Sequence, residues 1–188
     1  MKYSYRLPLI SGFLFVFISC GGTKTLFKES SEDWIKGGAA IWQLNSEEIF
    51  GISESGESFI MTKDSYKNFI LELEFYPDKT INSGIFVRCK NYNISNTECY
   101  EMNIWDLNPN QTYGTGSVVT RASPAASVET INKWNTYKIE NKENQLRVWV
   151  NGILTADILD DDLVEGYVGL QAAETGTIKF RNVKITEL

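Results

Sequence analysis

The sequence predicts an all-β protein in which two antiparallel sheets pack face to face as a jelly-roll β-sandwich. From Trp34 onward, short runs of alternating apolar and polar residues recur between clusters of turn residues. Asn151-Gly152 lies between RVWV and ILTADI, and this dipeptide is typical of the tight turn of a β-hairpin. Only residues 161–164 have helical character, so the pattern favours two packed sheets.

The predicted strands follow from the positions at which this alternation starts and stops. In residues 69–76, for example, Leu71, Leu73 and Phe75 share one side of an extended chain and are expected in the core. In chain order, the strands are predicted at residues 40–45, 48–53, 58–62, 69–76, 82–89, 99–106, 115–120, 134–140, 145–151, 153–157, 166–172 and 177–187.

Length and composition restrict the class of protein. The chain has 188 residues, of which 43% are hydrophobic, and this suits one domain with a sizeable core. Its formal net charge is −6 without a basic stripe, which argues against a nucleic-acid partner. There is no histidine, so Ser-His and Cys-His nucleophiles and imidazole metal sites are excluded. Acid–base chemistry would therefore use carboxylates, tyrosine or lysine.

The N-terminus has the features of an export signal. A positively charged start precedes an apolar run over residues 7–18, which is too short to span a bilayer. The run ends in FISC, which resembles a bacterial lipobox with Phe17 in place of the usual leucine. We expect a signal peptide over residues 1–19 and a lipid on Cys20, which would anchor the exported protein to the membrane of the cell envelope. The alternative is an ordinary signal peptide followed by an incidental cysteine.

The remainder of the chain is expected to form one domain behind a short tether. Residues 20–33 are predicted to be this tether, with one apolar pair, Leu26-Phe27, in an otherwise polar segment. Residues 34–188 are predicted to form a single sandwich domain, because no repeat or low-complexity tract divides them.

Two further cysteines, Cys89 and Cys99, flank the polar segment KNYNISNTE. In an oxidising compartment such a pair is expected to form a disulfide across the loop. A bridge of this length stabilises a fold by about 2–3 kcal/mol. The alternatives are two free thiols or a metal site, and the lack of histidine disfavours the latter.

Residues 98–106, ECYEMNIWD, carry polar and aromatic groups on the side opposite their core-facing residues. A carboxylate, a carboxamide and an indole occupy alternate positions there. The same alternation in residues 69–76 and 82–89 adds further polar groups. If these strands are neighbours, one sheet displays on a single polar, concave face Glu72, Glu74, Arg88, Glu101, Asn103 and Trp105.

This shared face has two interpretations. A flat indole beside hydrogen-bonding groups suits the apolar side of a pyranose, which favours a saccharide partner. The alternative is an ordinary solvated face with cross-strand ion pairs. Asp106 is expected to end its strand, where its carboxylate either caps backbone N–H groups or reaches the site from the rim. Together with Glu101 it would also suit a divalent cation, Ca²⁺ or Mg²⁺, although no compact acidic loop motif is present.

Seven segments in this order resemble the 3-keto-disaccharide hydrolase domain family, exported bacterial proteins with a concanavalin A-like lectin/glucanase β-sandwich. They are KNFILELEFYP, INSGIFVR, YEMNIWD, KWNTYKIE, VNGI, VGLQ and FRNVKI. The resemblance covers nearly the whole chain after the signal peptide. Its polar strand residues correspond here to Asn82, Arg88, Glu101, Asp106, Gln171 and Arg181.

Three positions depart from the family pattern. Asn103 occupies the usual glutamine position, and the loop before TGSVV lacks the usual longer polar insert. AAETG follows Gln171 where members often have a histidine.

The resemblance implies cleavage of disaccharides or glycosides oxidised at C3. A base removes the C2 proton, the enolate expels the glycosidic oxygen, and water then adds. Glu101 is the expected base, with Arg88 either orienting it or stabilising the oxyanion. An ion pair between the two would lower the pKa of the carboxyl and weaken the base. The residues expected to bind the substrate are Asn82, Asn103, Trp105, Asp106, Gln171, Glu72 and Glu74.

Two other functions fit the same pattern. A carbohydrate-binding protein of this fold would use the same face without catalysis, and would bind unoxidised glycans. A lipid-anchored structural protein would only solvate the face, and would tolerate substitution of Glu101 and Arg88.

Overall fold

The computed structural model describes residues 21–29 and 32–188, which form two antiparallel β-sheets. One short 3-10 helix, Gln111–Tyr113, follows the eighth strand. The strands are β1 Thr23–Thr25, β2 Trp34–Gly37, β3 Ile41–Leu44, β4 Ile49–Ser53, β5 Glu57–Thr62, β6 Phe69–Pro77, β7 Ser83–Cys89, β8 Tyr100–Ile104, β9 Asn135–Lys142, β10 Gln145–Val150, β11 Ile153–Leu159, β12 Tyr167–Ala173 and β13 Gly176–Glu187.

The two sheets differ in size, and the chain crosses between them several times. The larger sheet has the strand order β11-β10-β9-β6-β13-β4-β3, with β1 added beside β13. The smaller sheet has the order β2-β5-β12-β7-β8. Strands that are consecutive in the sequence, such as β6 and β7, therefore lie in different sheets. This arrangement confirms the predicted all-β sandwich.

The core lies between the two sheets and is filled by their inward-facing apolar side chains. On β6, Leu71, Leu73 and Phe75 are all buried, and on β8 so are Tyr100 and Met102. These are the faces that the alternation predicts. Fully burying one such side chain stabilises the fold by about 1.5–3 kcal/mol, so these faces fix which side of each strand points inward.

One predicted strand, residues 115–120, is wrong. Its backbone does run along β8: Ser117 O accepts a hydrogen bond of 3.2 Å from Asn103 N–H, but the pairing reduces to isolated bridges at Val118. Gly116 and Thr120 have positive φ angles of 88° and 65°. These left-handed positions interrupt the pleat on both sides of the bridge, so no strand is formed.

The N-terminal segment is more structured than a tether. β1 pairs with β13, and Leu26 and Phe27 are buried in the main core, as the apolar pair in the sequence suggests. The packed structure therefore begins before residue 34, where the sequence analysis starts the domain. The predicted signal peptide and Cys20 lie outside the described residues, and both stay predictions. Within the described ranges, no helix is long and apolar enough to cross a membrane.

A β-bulge near the end of β7 changes which way its last residues point. Phe86 pairs with Gly169 of β12, but Cys89 pairs with Tyr167, so β7 carries one extra residue between these pairs. Arg88 has a φ of 52°, in the left-handed region that such bulges use. The extra residue reverses the alternation, and Arg88 consequently faces the core while Cys89 shares the outer side with Phe86.

The predicted disulfide between Cys89 and Cys99 is confirmed. It joins the end of β7 to the residue before β8 and closes the loop over residues 90–98. Ile94 of this loop is buried against a second apolar cluster that includes Met61 and Phe86. The loop is thus fixed both by a covalent bond and by packing.

Replacing both of these cysteines with alanine is expected to lower the free energy of unfolding by about 2–3 kcal/mol, because the unfolded chain regains the entropy of the open loop. Urea unfolding of the double variant beside the oxidised wild type measures this difference. An unchanged midpoint with an unchanged slope would contradict it. Dithiothreitol should lower the midpoint of the wild type but leave the double variant unaffected.

Candidate functional site

The outer side of the smaller sheet carries Glu101 and is called here the Glu101 face. Two cross-strand rows cross this face. Gly169 of β12, Phe86 of β7 and Glu101 of β8 are direct neighbours in one row. In the adjacent row, Gly84 of β7 lies opposite Asn103 of β8. Strand register therefore places the polar residues of three strands on a single surface.

Gly84 forms the floor on which two polar side chains converge. A Cβ atom added there would lie 3.2 Å from Glu101 Oε1 and 3.4 Å from Gln171 Oε1. The two head groups thus flank the same point, one from each side of β7. Sequence reasoning did not single out Gly84, although a glycine inside a strand often marks a close approach. The structure brings together two of the residues expected from the sequence.

The Glu101 carboxyl is only partly exposed, and burial raises its pKa to about 7, with the nearby charge of Glu57 adding to the effect. Among the described residues, no hydrogen bond or ion pair holds this carboxylate. A carboxylate without such partners is a stronger base than an ordinary one. A pKa near neutral pH is also what general-base catalysis favours.

Two carboxamide oxygens on the Glu101 face lack hydrogen-bond partners within the described part of the chain. They are Gln171 Oε1 and Asn82 Oδ1, and both atoms are buried. Asn82 forms a backbone bridge with Ala173 just before β7, two residues from Gly84, so it lies on the same side. An unpaired buried acceptor costs about 1–3 kcal/mol. One of them, Gln171 Oε1, lies beside the Glu101 carboxyl, and together the two acceptors indicate a face that binds a ligand donating hydrogen bonds.

Arg88 does not approach Glu101, and this expectation is wrong. Its side chain is only 1% exposed and faces the core because of the β-bulge. Nε and Nη2 donate to Lys67 O at 3.1 and 2.7 Å, and Nη1 donates to Leu163 O at 3.0 Å. Desolvation lowers the pKa of the guanidinium. Arg88 therefore ties two loops together, and its charge does not counteract the raised pKa of Glu101.

Glu72 and Glu74 do not share the Glu101 face, so this expectation is also wrong. They lie on β6, in the larger sheet, on the opposite side of the sandwich. Glu74 accepts hydrogen bonds from Arg181 at 2.9 and 2.6 Å and from Asn182 at 2.6 Å. Those bonds, above all the one from Arg181, lower the pKa of Glu74. Arg181 is consequently absent from the Glu101 face as well.

Asn103 lies on the predicted side of β8, but its side chain holds a loop. It is 3% exposed, and its amide N–H donates to the backbone carbonyl of Tyr113. Trp105, directly after β8, is half-buried and donates its backbone N–H to Thr115 Oγ1 at 2.9 Å. Asn103 thus fixes the loop that follows β8 and does not present a free amide to a ligand.

Asp106 caps this loop, one of the two roles expected for it. Its carboxylate accepts hydrogen bonds from Thr115 Oγ1 at 2.5 Å and from the N–H and Oγ1 of Thr130 at 2.6 and 2.7 Å. Asp106 therefore does not join Glu101 in holding a cation. In the described residues, no group of three or more Asp, Glu, Cys or His side chains is arranged to hold a metal ion.

Two aromatic side chains on the Glu101 face are covered by other residues, whereas Trp105 and Tyr167 are half-buried. Phe59 and Phe86 are 8% and 2% exposed and pack with Met61 and with Ile94 of the disulfide loop. They support the floor of the site from one end and do not offer a free ring to a sugar. The unpartnered polar groups of this face include the Glu101 carboxyl, Gln171 Oε1 and Asn82 Oδ1.

Solved structures of other proteins share this fold. A protein provisionally named a glycosyl hydrolase, from Parabacteroides distasonis ATCC 8503, matches with a TM-score of 0.75 and 22% identity, covering 89% of this chain and all of that one. The carbohydrate-binding module CBM66 from Bacillus subtilis matches with a TM-score of 0.63 and 20% identity, over 81% and 94% of the two chains. A Bacillus licheniformis β-glucanase matches with a TM-score of 0.61 and 13% identity, over 91% and 99%. The chain is thus a concanavalin-like β-sandwich.

The family follows from the sequence itself. Residues 22–186 match the model of the 3-keto-α-glucoside-1,2-lyase-like domain, and the chain belongs to this family. The match spans all thirteen strands from β1 to most of β13, and it confirms the resemblance drawn from the seven segments. No curated protein gives a significant match.

Proposed function

We propose that the chain cleaves glycosides oxidised at C3 by elimination, with Glu101 as the general base. The observation that carries this proposal is a partly buried carboxyl with a pKa of about 7, which no charged group of the described residues pairs with, beside the unpartnered carboxamide oxygen of Gln171. The family description, a 1,2-lyase, names the elimination that such a base performs.

The chemistry begins at C2 of the oxidised sugar, because the C3 carbonyl acidifies the C2 proton. The Glu101 carboxylate takes this proton, and the electron pair of the C–H bond forms an enolate. The enolate collapses to a C1–C2 double bond with the C3 carbonyl restored, and the bond from C1 to the glycosidic oxygen breaks. That oxygen leaves with the proton that Glu101 took from C2, which regenerates the carboxylate. Water adding across the double bond completes hydrolysis. No oxocarbenium ion forms, so the paired carboxylates of ordinary glycosidases are not required.

Gln171 and Asn82 supply the polar contacts in this scheme. Their unpartnered oxygens accept hydrogen bonds from sugar hydroxyls, which would satisfy the two buried acceptors. Their amide N–H groups are suited to donate to the enolate oxygen as negative charge develops there. Arg88 has no direct part, since its guanidinium is bound to backbone carbonyls on the core side.

A binding protein without catalysis is the second candidate. It is favoured by the absence, among the described residues, of a cation paired with Glu101, since an enolate is best stabilised by positive charge. The engagement of Asn103 in its loop also removes one expected polar contact. This candidate predicts affinity for unoxidised saccharides that does not depend on Glu101.

The pH dependence of turnover tests the proposed base. Below its pKa Glu101 is protonated and cannot accept a proton, so kcat/KM is expected to rise with pH and to level off above about 7. The measurement is sugar release from a panel of 3-keto-disaccharides between about pH 5 and 9, with and without EDTA. A profile that falls with pH across this range would contradict the assignment. If the folded protein releases no sugar from any member of the panel, the binding protein is the better account.

A further inference from the structure

The outer side of the larger sheet carries an open groove, on the opposite side of the sandwich from Glu101. Its volume is about 670 Å³, within the range of small-molecule sites. We call it the Trp149 groove, and the lining residues that matter here are Glu72, Glu74, Thr136, Lys138, Trp149 and Asn182.

The groove exists because small residues lie between large ones. Thr136 is opposite Glu74 in the β6–β9 pairing, and Trp149 is opposite Lys138 in the β9–β10 pairing. Gly152 has a φ of 77°, and a Cβ there would meet nothing within 4 Å. The floor is therefore low between the indole of Trp149 and the carboxylate of Glu74.

The indole of Trp149 is held as a wall of the groove by two cations. Lys138 Nζ lies 4.9 Å from the ring centroid and the guanidinium carbon of Arg147 lies 5.6 Å from it. Exposed cation–π contacts of this kind are weak, so a ligand that packs against the ring is able to displace the flexible side chains over it. Trp149 is partly exposed, unlike Phe59 and Phe86 on the other face.

The opposite wall is polar and fixed. The Glu74 carboxylate is held by Arg181 and Asn182, so its position is set before any ligand arrives. Two carboxylates, Glu72 and Glu74, and two ammonium groups, Lys138 and Lys184, line the groove and balance in formal charge. A strongly charged ligand of either sign gains little from such a surface.

We infer that the Trp149 groove binds a neutral oligosaccharide. An indole wall suits the apolar C–H side of a sugar ring, and the carboxylate, amide and hydroxyl groups around it match neutral hydroxyls as donors and acceptors. The volume accommodates more than one sugar unit in an open cleft. This site is distinct from the Glu101 face and does not depend on the function proposed for it.

The experiment is calorimetric titration with neutral hexaoses of glucose (maltohexaose, cellohexaose and laminarihexaose) and with a heparin hexasaccharide as an anionic probe. Glu101→Gln protein is used throughout, so that turnover plays no part and a failed hydrolase assignment leaves the test valid. At least one neutral hexaose is expected to bind, with Trp149→Ala weakening it at least about tenfold.

Trp134→Ala is the matched control, because Trp134 lies outside the groove, stacked under Arg181 at 4.0 Å and beside Tyr76. The affinity of the Trp134→Ala variant for the hexaose is expected to stay within about twofold of that of the Glu101→Gln parent protein. Thr136→Arg, which fills the floor from an exposed position, is a second variant in case Trp149→Ala does not fold, and it should also abolish binding.

Three results would overturn the inference. The first is that no neutral hexaose binds, and the second is that only the heparin fragment binds. The third is that the folded groove variants Trp149→Ala and Thr136→Arg leave binding unchanged, or that Trp134→Ala weakens binding as much as they do. In the chain with Glu101 intact, Trp149→Ala is expected to leave the turnover of 3-keto-disaccharides unchanged, since the two sites lie on opposite sheets.

Discussion

Glu101→Gln is expected to abolish turnover of 3-keto-glycosides and, above neutral pH, to make the folded chain more stable than the wild type. The carboxamide cannot accept the C2 proton, and loss of a general base costs about 10²–10⁴ in rate. The shape of the side chain is retained, so saccharide binding is expected to survive. The measurement is sugar release by the variant beside the wild type at about pH 8.

The gain in stability follows from the raised pKa of Glu101. The folded pKa is about 7 and the ordinary value is 4.5, so between these values the folded state binds more protons than the unfolded state. The unfolding free energy of the wild type therefore falls as pH rises from about 4.5 through 7. The Glu101→Gln variant has no carboxyl to ionise, so it avoids this decrease in unfolding free energy, which amounts to up to about 3 kcal/mol.

Urea unfolding of the variant and the wild type near pH 5 and pH 8.5 measures the expected gain in stability separately from the loss of turnover. The variant and wild type should converge at the lower pH and differ most at the higher one. Glu47→Gln, which changes an exposed carboxylate in a loop, is the matched control and should alter neither quantity. Retained turnover in Glu101→Gln would remove Glu101 as the base, whereas lost turnover without a pH-dependent gain in stability would place its pKa near the ordinary value.

Arg88→Met is expected to lower the free energy of unfolding by about 2–4 kcal/mol. The methionine leaves the backbone carbonyls of Lys67 and Leu163 without their donors, and the Leu163 carbonyl is buried. Removing a desolvated charge offsets part of this loss, as the lowered pKa of Arg88 indicates. The lost bonds dominate, because hydrogen bonds from a charged donor are worth about 1.5–3 kcal/mol each.

Unfolding in urea again provides the measurement, together with turnover per folded molecule. Lys90→Met, at an exposed position two residues further on, is the control and should change stability by less than about 0.5 kcal/mol. A folded Arg88→Met protein of normal stability that has lost turnover would return Arg88 to a catalytic role and contradict its position in the core.

Much of the fold could be predicted from alternation, because burial of apolar side chains fixes which side of each strand points inward. Leu71, Phe75 and Met102 all lie where the pattern places them. Alternation does not say which strands share a sheet, and this is why the pattern places Glu72 and Glu74 on the wrong face. Consecutive strands are neighbours often but not always, and here the chain crosses between sheets after β6.

The sequence pattern predicts those residues of the candidate site that lie on neighbouring strands of one sheet. Glu101 and Gln171 occupy such positions, and the structure brings them together above Gly84. Asn103 and Asp106 instead bind the loop that follows β8, through partners up to 24 residues away in the sequence. Contacts of this kind depend on how loops return to the sheet, which no local pattern reveals.

The bulge in β7 has a consequence for comparing this chain with its relatives. The number of residues in β7 determines which of its last side chains lies on the outer side of the sheet. With the extra residue of the bulge, this side chain is Cys89 and not Arg88. A relative that lacks the extra residue would present its arginine beside the glutamate and turn the next position inward. A sequence alignment that ignores the bulge would therefore equate two arginines that lie in different environments, one in the core and one on the outer side.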